Sequence, residues 1–187
     1  MSDEGATKQA AKSARTRMAI LDAAGQVVRD DGVSNLTLDR VAAAAGISKG
    51  GLLYHFGTKH ELVVALLTST LQAADDDMNE LAAANGRSNG SFAQAYLDFV
   101  QSGQHSTGAA SGVFAAAALD DGDLAPAQSM FASWQDRLIE DDGLDETTAL
   151  LARVVGDGLW LIDLFGLAPP SPEQRRALFD VIEARFS

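Results

Sequence analysis

This chain has no cysteine, only four prolines, two tryptophans and two tyrosines, and no lysine beyond position 59. Each scarcity excludes something. Without cysteine there are no disulfides and no thiolate metal sites, and the cytoplasm is the expected compartment. So few prolines, and no stretch alternating apolar and polar residues long enough for a strand, point to an all-α protein. No run approaches the roughly 18 uncharged apolar residues that a membrane span needs, so no membrane partner is expected. The opening MSDEGATKQAAKSARTR has no apolar segment of the kind a secretory signal carries. No nucleophile–base set, phosphate-binding loop or metal-ligand cluster stands out, so the expectation is a non-enzyme with no cofactor. What remains is ample: 187 residues with 47% hydrophobic content, enough for one compact domain or a small domain fused to a larger one.

The net charge of −12 is unevenly spread. Residues 1–60 hold eight Lys/Arg against six Asp/Glu, while residues 61–187 hold six Arg against twenty acids. Lys8, Lys12, Lys49 and Lys59 all lie in the first third. Phosphate binding needs local rather than global positive potential. Solubility would account for an acidic total but not for this segregation.

Residues 37–56, TLDRVAAAAGISKGGLLYHF, are the most informative stretch. Leu38, Val41, Ala42 and Ala45 repeat at i, i+3, i+4, i+7, one face of a helix. Gly46 suits the left-handed turn that ends it, Ile47 buries the turn, and Ser48 caps the next helix. Leu52, Leu53 and Phe56 anchor that second helix, while Lys49, Gly50, Gly51, Tyr54 and His55 lie on its other face. A bracing helix followed by one that offers its first turn to a DNA major groove has this construction. Thr37, as a cap, can offer its hydroxyl and backbone N–H to a phosphate, and Ser48 has the same option. Lys49 has the reach for a guanine edge or a phosphate. Paired glycines near a helix start cost about 1 kcal/mol each relative to Ala, which close approach to DNA would justify. Capping alone, or a solvated lysine, is the plainer account of each residue taken singly.

Around this core the pattern is helical throughout. A flexible basic arm is expected over 1–13, a first helix from about Ala14 to Asp30, and a helix-turn-helix domain over 14–60. Thr58 with Glu61 signals a capping box for a connector helix running to about Ala84. Residues 61–187 are expected to form the second domain, and the turn-rich break from Asn85 to Gly90 is the expected boundary between the two parts of the chain. Ser91 and Gln94 suggest another capping box, and Val113–Leu119 a short Ala-rich helix. Further helices are expected from about Asp123 to Asp141, Asp145 to Phe165, and Ser171 to Arg185. The total is about nine.

The segment from about Arg15 to Leu67, and above all GISKGGLLYHFGTKHEL, resembles the DNA-binding domain of the TetR family of bacterial one-component regulators. The resemblance implies that Tyr54 and His55 contact the DNA backbone and that Lys59 completes the phosphate clamp. It also implies a C-terminal ligand-binding and dimerisation domain, whose last two helices pair with those of a second copy. Phe92, Tyr96, Phe99, Phe114, Met130, Phe131, Trp134 and Trp160 supply most of its large apolar surface. Such residues are more often core than pocket; Trp134 and Trp160 fall where multidrug-responsive members have aromatic walls. Asp157 and Asp163 interrupt an apolar helix and need partners, a cationic ligand for Asp163 being one option and a subunit interface another. The expectation is a homodimeric repressor on a palindromic operator in double-stranded DNA. A small-molecule effector, hydrophobic or cationic, would release it. The alternative is a helical small-molecule-binding or scaffold protein without DNA binding.

Overall fold

A computed structural model describes residues 3–85, 91–102, 112–114, 117 and 124–186. Among these residues the chain forms eight α-helices and one 3-10 turn. The helices are α1 (Asp3–Asp31), α2 (Leu38–Ala44), α3 (Lys49–His55), α4 (Lys59–Asn85), α5 (Ser91–Ser102), α6 (Ala125–Glu140), α7 (Glu146–Phe165) and α8 (Pro172–Glu183). Residues 112–114 and 117 are also helical, and the rest of the short helix expected over Val113–Leu119 lies outside the described residues. The chain is all-helical, as its composition implies.

Two compact units emerge. The first comprises Met1–Ser69 with Gly112–Leu124, the second Thr70–Ser111 with Ala125–Ser187. The change of unit therefore falls within α4 rather than at a turn. Leu62, Val63, Leu66 and Leu67 of its first half are buried in the first unit, and Leu66 lies close to Gly25 of α1. Residues 86–90, most of the turn-rich break, lie outside the described residues.

In the first unit, Ile20, Leu21, Ala24, Val27 and Val28 make the buried stripe of α1, with Leu36, Val41, Leu52 and Phe56 closing over it. Segment 1–13, expected as a flexible arm, is helical from Asp3 and exposed where its burial is described, apart from half-buried Ser13. Ala, Lys and Gln are good helix formers, so the nucleated part of α1 extends through them at little cost.

Local signals set the remaining helix ends. Asp145 caps α7 by accepting the Thr147 and Thr148 N–H groups at 3.0 and 3.1 Å. Ser171 and Gln174 form a reciprocal capping box on α8, with Pro172 at the first position. At α4, Glu61 donates its N–H to Thr58, while its carboxylate accepts from the Gly57 N–H at 2.9 Å, one residue before the cap. The box expected from Gln94 at α5 takes another form. The Phe92 and Ala93 N–H groups donate to the buried carboxylate of Asp142, at 3.3 and 2.5 Å. The Gln94 amide turns instead to Asp98 and Glu183, both at 3.1 Å. A full negative charge at a buried helix N-terminus satisfies orphan donors and the helix dipole together, which a neutral amide does less well.

Candidate nucleic-acid interface and effector core

Helices α2 and α3 are each seven residues long, so their ends decide their geometry. Thr37 caps α2 by accepting the Arg40 N–H at 3.3 Å, and Ser48 caps α3 by accepting the Gly51 N–H at 3.1 Å. Between them Gly46 sits at φ 67°, a conformation unfavourable to residues with a Cβ. The Ile47 N–H closes the turn onto the Ala42 carbonyl at 3.0 Å. Leu52 and Phe56 are fully buried and hold α3 on the unit. Leu53, expected as a third anchor, is 40% exposed instead. In a helix of two turns only one narrow face is covered, and Leu53, one residue past Leu52, is turned about 100° from it.

The sequence-predicted site residues are spread over the starts of α2, α3 and α4 and the uncovered part of α3. Tyr54 is 81% exposed, and its ring meets His55 edge-on at 5.2 Å. Lys49 and Lys59 are exposed at the first turns of α3 and α4. A Cβ on Gly50 would meet nothing within 4 Å, whereas one on Gly51 would press on the Ser48 hydroxyl at 3.3 Å. Thr37, Ser48, Lys49, Gly50 and Tyr54 are all exposed, with Gly51 and His55 half-buried.

Two supports here have no sequence signal. Arg17, from α1, stacks on the Phe56 ring at 4.1 Å and donates to the His55 carbonyl at 3.1 Å, securing the C-terminal end of α3. Asp39 accepts from the Lys49 ammonium at 3.0 Å.

In the second unit the expected effector residues divide. Phe92, Tyr96, Phe99 and Trp134 are buried; Met130, Phe131 and Trp160 are half-buried. Phe114, also half-buried, falls in the first unit. Aspartates fix the buried aromatics. The Trp134 indole N–H donates to Asp75 at 2.8 Å, and Arg137 donates to the same oxygen at 3.1 Å while its guanidinium covers the Phe92 ring at 3.7 Å. Asp75, itself part-buried, thus ties α4 to α6.

A second cluster ties α5 to α7. The Tyr96 hydroxyl donates to Asp157 at 2.9 Å, and Arg153 pairs with the other Asp157 oxygen at 2.8 Å. Arg153 also donates to the Phe131 carbonyl at 2.6 Å and lies over that ring at 5.3 Å. Burial, then the Asp157 charge, pushes the Tyr96 phenol well above its usual value. Gly156 makes the approach possible, since a Cβ there would stand 2.5 Å from the Tyr96 oxygen. Asp163 has its partner in Arg175 of α8 at 2.6 Å. Both acids that interrupt the apolar helix are therefore paired within the chain. Among the described residues no group of His, Asp or Glu is arranged to hold a metal.

Against known proteins, two family models match in tandem. "Bacterial regulatory proteins, tetR family" covers residues 20–66, and "Tetracyclin repressor-like, C-terminal domain" covers residues 90–186. The chain belongs to the TetR family. It is a family of regulatory proteins rather than enzymes. The HTH-type transcriptional regulator SrpR of Pseudomonas putida is 44% identical over 64 residues, 34% of this chain and 30% of SrpR. The chain thus matches about a third of the length of that curated relative. Among solved structures, the TetR-family member SCO1917 from Streptomyces coelicolor A3 is 28% identical, with a TM-score of 0.66 over 88% of this chain and 96% of that one. The multidrug binding protein EbrR complexed with malachite green is 25% identical, with a TM-score of 0.65 over the same shares.

Proposed function

We propose that this TetR-family protein is a homodimeric repressor, acting in the cytoplasm, that leaves its operator when a small molecule enters the second unit. The observation that carries the reading is the exposed face of α3 on a head otherwise closed around Leu52 and Phe56. Tyr54, at 81% exposure, has no folding reason to be aromatic there, and a phenol donating to a DNA phosphate supplies one. Lys59, exposed at the first turn of α4, adds a positive charge, and Thr37 and Ser48 offer hydroxyls at the two helix starts.

Dimerisation is supported by apolar residues without cover. Leu150, Val154 and Leu161 of α7 and Val181 of α8 are 45–60% exposed. Two copies of these helices packed as a four-helix bundle would remove that surface from water. Such symmetry presents two recognition helices to successive major grooves of a palindromic site.

The effector reading rests on the aromatic side chains of the second unit and on EbrR, which carries malachite green in its structure. A hydrophobic compound fits Phe131, Met130 and Trp160, the half-buried members of the set. A cationic one would have to compete with Arg153 or Arg175 for Asp157 or Asp163, because these acids are already paired. A hundredfold preference for the DNA-free form would shift the equilibrium by about 2.7 kcal/mol.

Footprinting upstream of the protein's own gene, with binding measured across a salt series, tests the reading. A protected palindrome bound by a dimer, and lost on adding an aromatic dye such as malachite green, is the expected result. Salt-insensitive material that ignores duplex DNA yet binds dye would make it a helical small-molecule-binding protein instead. A fall in transcription of the footprinted gene on deleting this protein would make it an activator.

A further inference from the structure

The Lys49 ammonium is held by Asp39 at 3.0 Å, across the turn between the bracing and recognition helices. Both side chains are exposed, 56% for Lys49 and 70% for Asp39, so the pair contributes little to the fold. Asp39 is not needed to cap α2 either, since Thr37 does that. A carboxylate on the face offered to a polyanion opposes binding. We propose that Asp39 is a specificity-determining positioning residue: it holds Lys49 so that the ammonium acts as an oriented donor to a base edge rather than as a phosphate-seeking charge.

The physical case has three parts. A lysine is a point charge on a flexible four-carbon stem, and left alone it goes to the nearest phosphate. Tethering one N–H to Asp39 leaves two donors for a guanine O6 or N7 and removes rotamer freedom before DNA arrives. The neutralised pair releases almost no counterions, so it adds little to sequence-independent affinity. Arg40, on the same helix, is similarly occupied by Asp31. The bracing helix thus keeps non-specific attraction low at the place where sequence is read.

The inference rests on the DNA-binding reading above, and its test separates the two. Wild type first selects its preferred duplex from a random pool. Wild type, Asp39→Asn, Lys49→Ala and the double variant are then compared on that duplex and on an unrelated one of equal length, from low to physiological salt. For Asp39→Asn, binding to the unrelated duplex should tighten about tenfold, and the log–log salt slope should steepen by about one per subunit. The ratio of selected to unrelated affinity should fall, and in the Lys49→Ala background Asp39→Asn should leave that ratio unchanged. Thermal midpoints should agree within a few degrees, which separates positioning from folding. An unaltered ratio in Asp39→Asn, or an equal change with Lys49 absent, overturns the inference while DNA binding stands. A wild type that binds no duplex overturns both.

Discussion

The two units treat charge in opposite ways. In the first, ion pairs lie on the surface: the side chains of Arg40 and Asp31 are 51% and 35% exposed, and Lys49 and Asp39 are more open still. Among the described pairs of the second, most are turned inward, with Arg137 and Asp75 at 26% and 17%, and Arg175 and Asp163 at 15% and 16%, while Asp141 opposite Arg137 stays 62% exposed. An exposed charge stays available to a charged partner, whereas a half-buried one is committed to its neighbours. The first unit is built to offer its polar groups, and the second uses them to fix helices α4 to α8 around aromatic side chains.

Glycine gives the sharpest contrast. Gly156→Ala in the second unit would drive a methyl into the buried Tyr96 ring, and should destabilise by about 2–3 kcal/mol in denaturant titrations. Gly50→Ala in the first unit meets nothing, so unfolding should show no loss and up to about 1 kcal/mol of gain. Any loss at Gly50 larger than that at Gly156 would invert the comparison.

Next in size is Asp75→Ala, which leaves the Trp134 indole N–H unpaired and strips one partner from Arg137. A cost of about 1–3 kcal/mol is expected, with a change in tryptophan fluorescence. An unchanged spectrum would mean that the indole is not held as described. Tyr54→Ala tests the other side. It should leave unfolding within about 0.5 kcal/mol of wild type. DNA binding should weaken about equally for all sequences, with a shallower salt slope. A loss of stability instead would return Tyr54 to the fold.

The smallest effects are in pH. Hydrogen bonds from the Thr148 hydroxyl, then from its backbone N–H, hold Asp145 below the usual carboxylate range. A lowered folded pKa stabilises the protein above the unfolded value of about 3.9 and is lost as pH falls through the folded one. Asp145→Asn should therefore flatten the acid limb of the stability profile. Tyr96 works at the other end. Its folded pKa is raised, so stability is intact below about 10 and declines as pH rises towards the folded value. Tyr96→Phe should remove that alkaline decline, and a persistent decline would place its source elsewhere.

Within about twenty residues the sequence encodes the head almost completely. Thr37, Gly46 and Ser48 act on neighbours no more than five positions away, and such relations can be read along a chain. Leu53 escaped because its exposure depends on how much of α3 the rest of the unit covers. Reading the second unit failed where partners are far apart. Asp142 caps a helix that begins about fifty residues earlier, and Asp75 meets Trp134 across 59 positions.

Helix count, the segregation of charge, the turn and its caps were thus settled by composition and short-range order, because hydrogen bonds and apolar faces within a helix span only a few residues. That Asp75 and Asp163 are paired, that Trp134 is locked, and that Lys49 is held by Asp39 across the turn were decided only when folding set one helix against another. A side chain's partner is a matter of distance in space, and the chain's order does not record that distance.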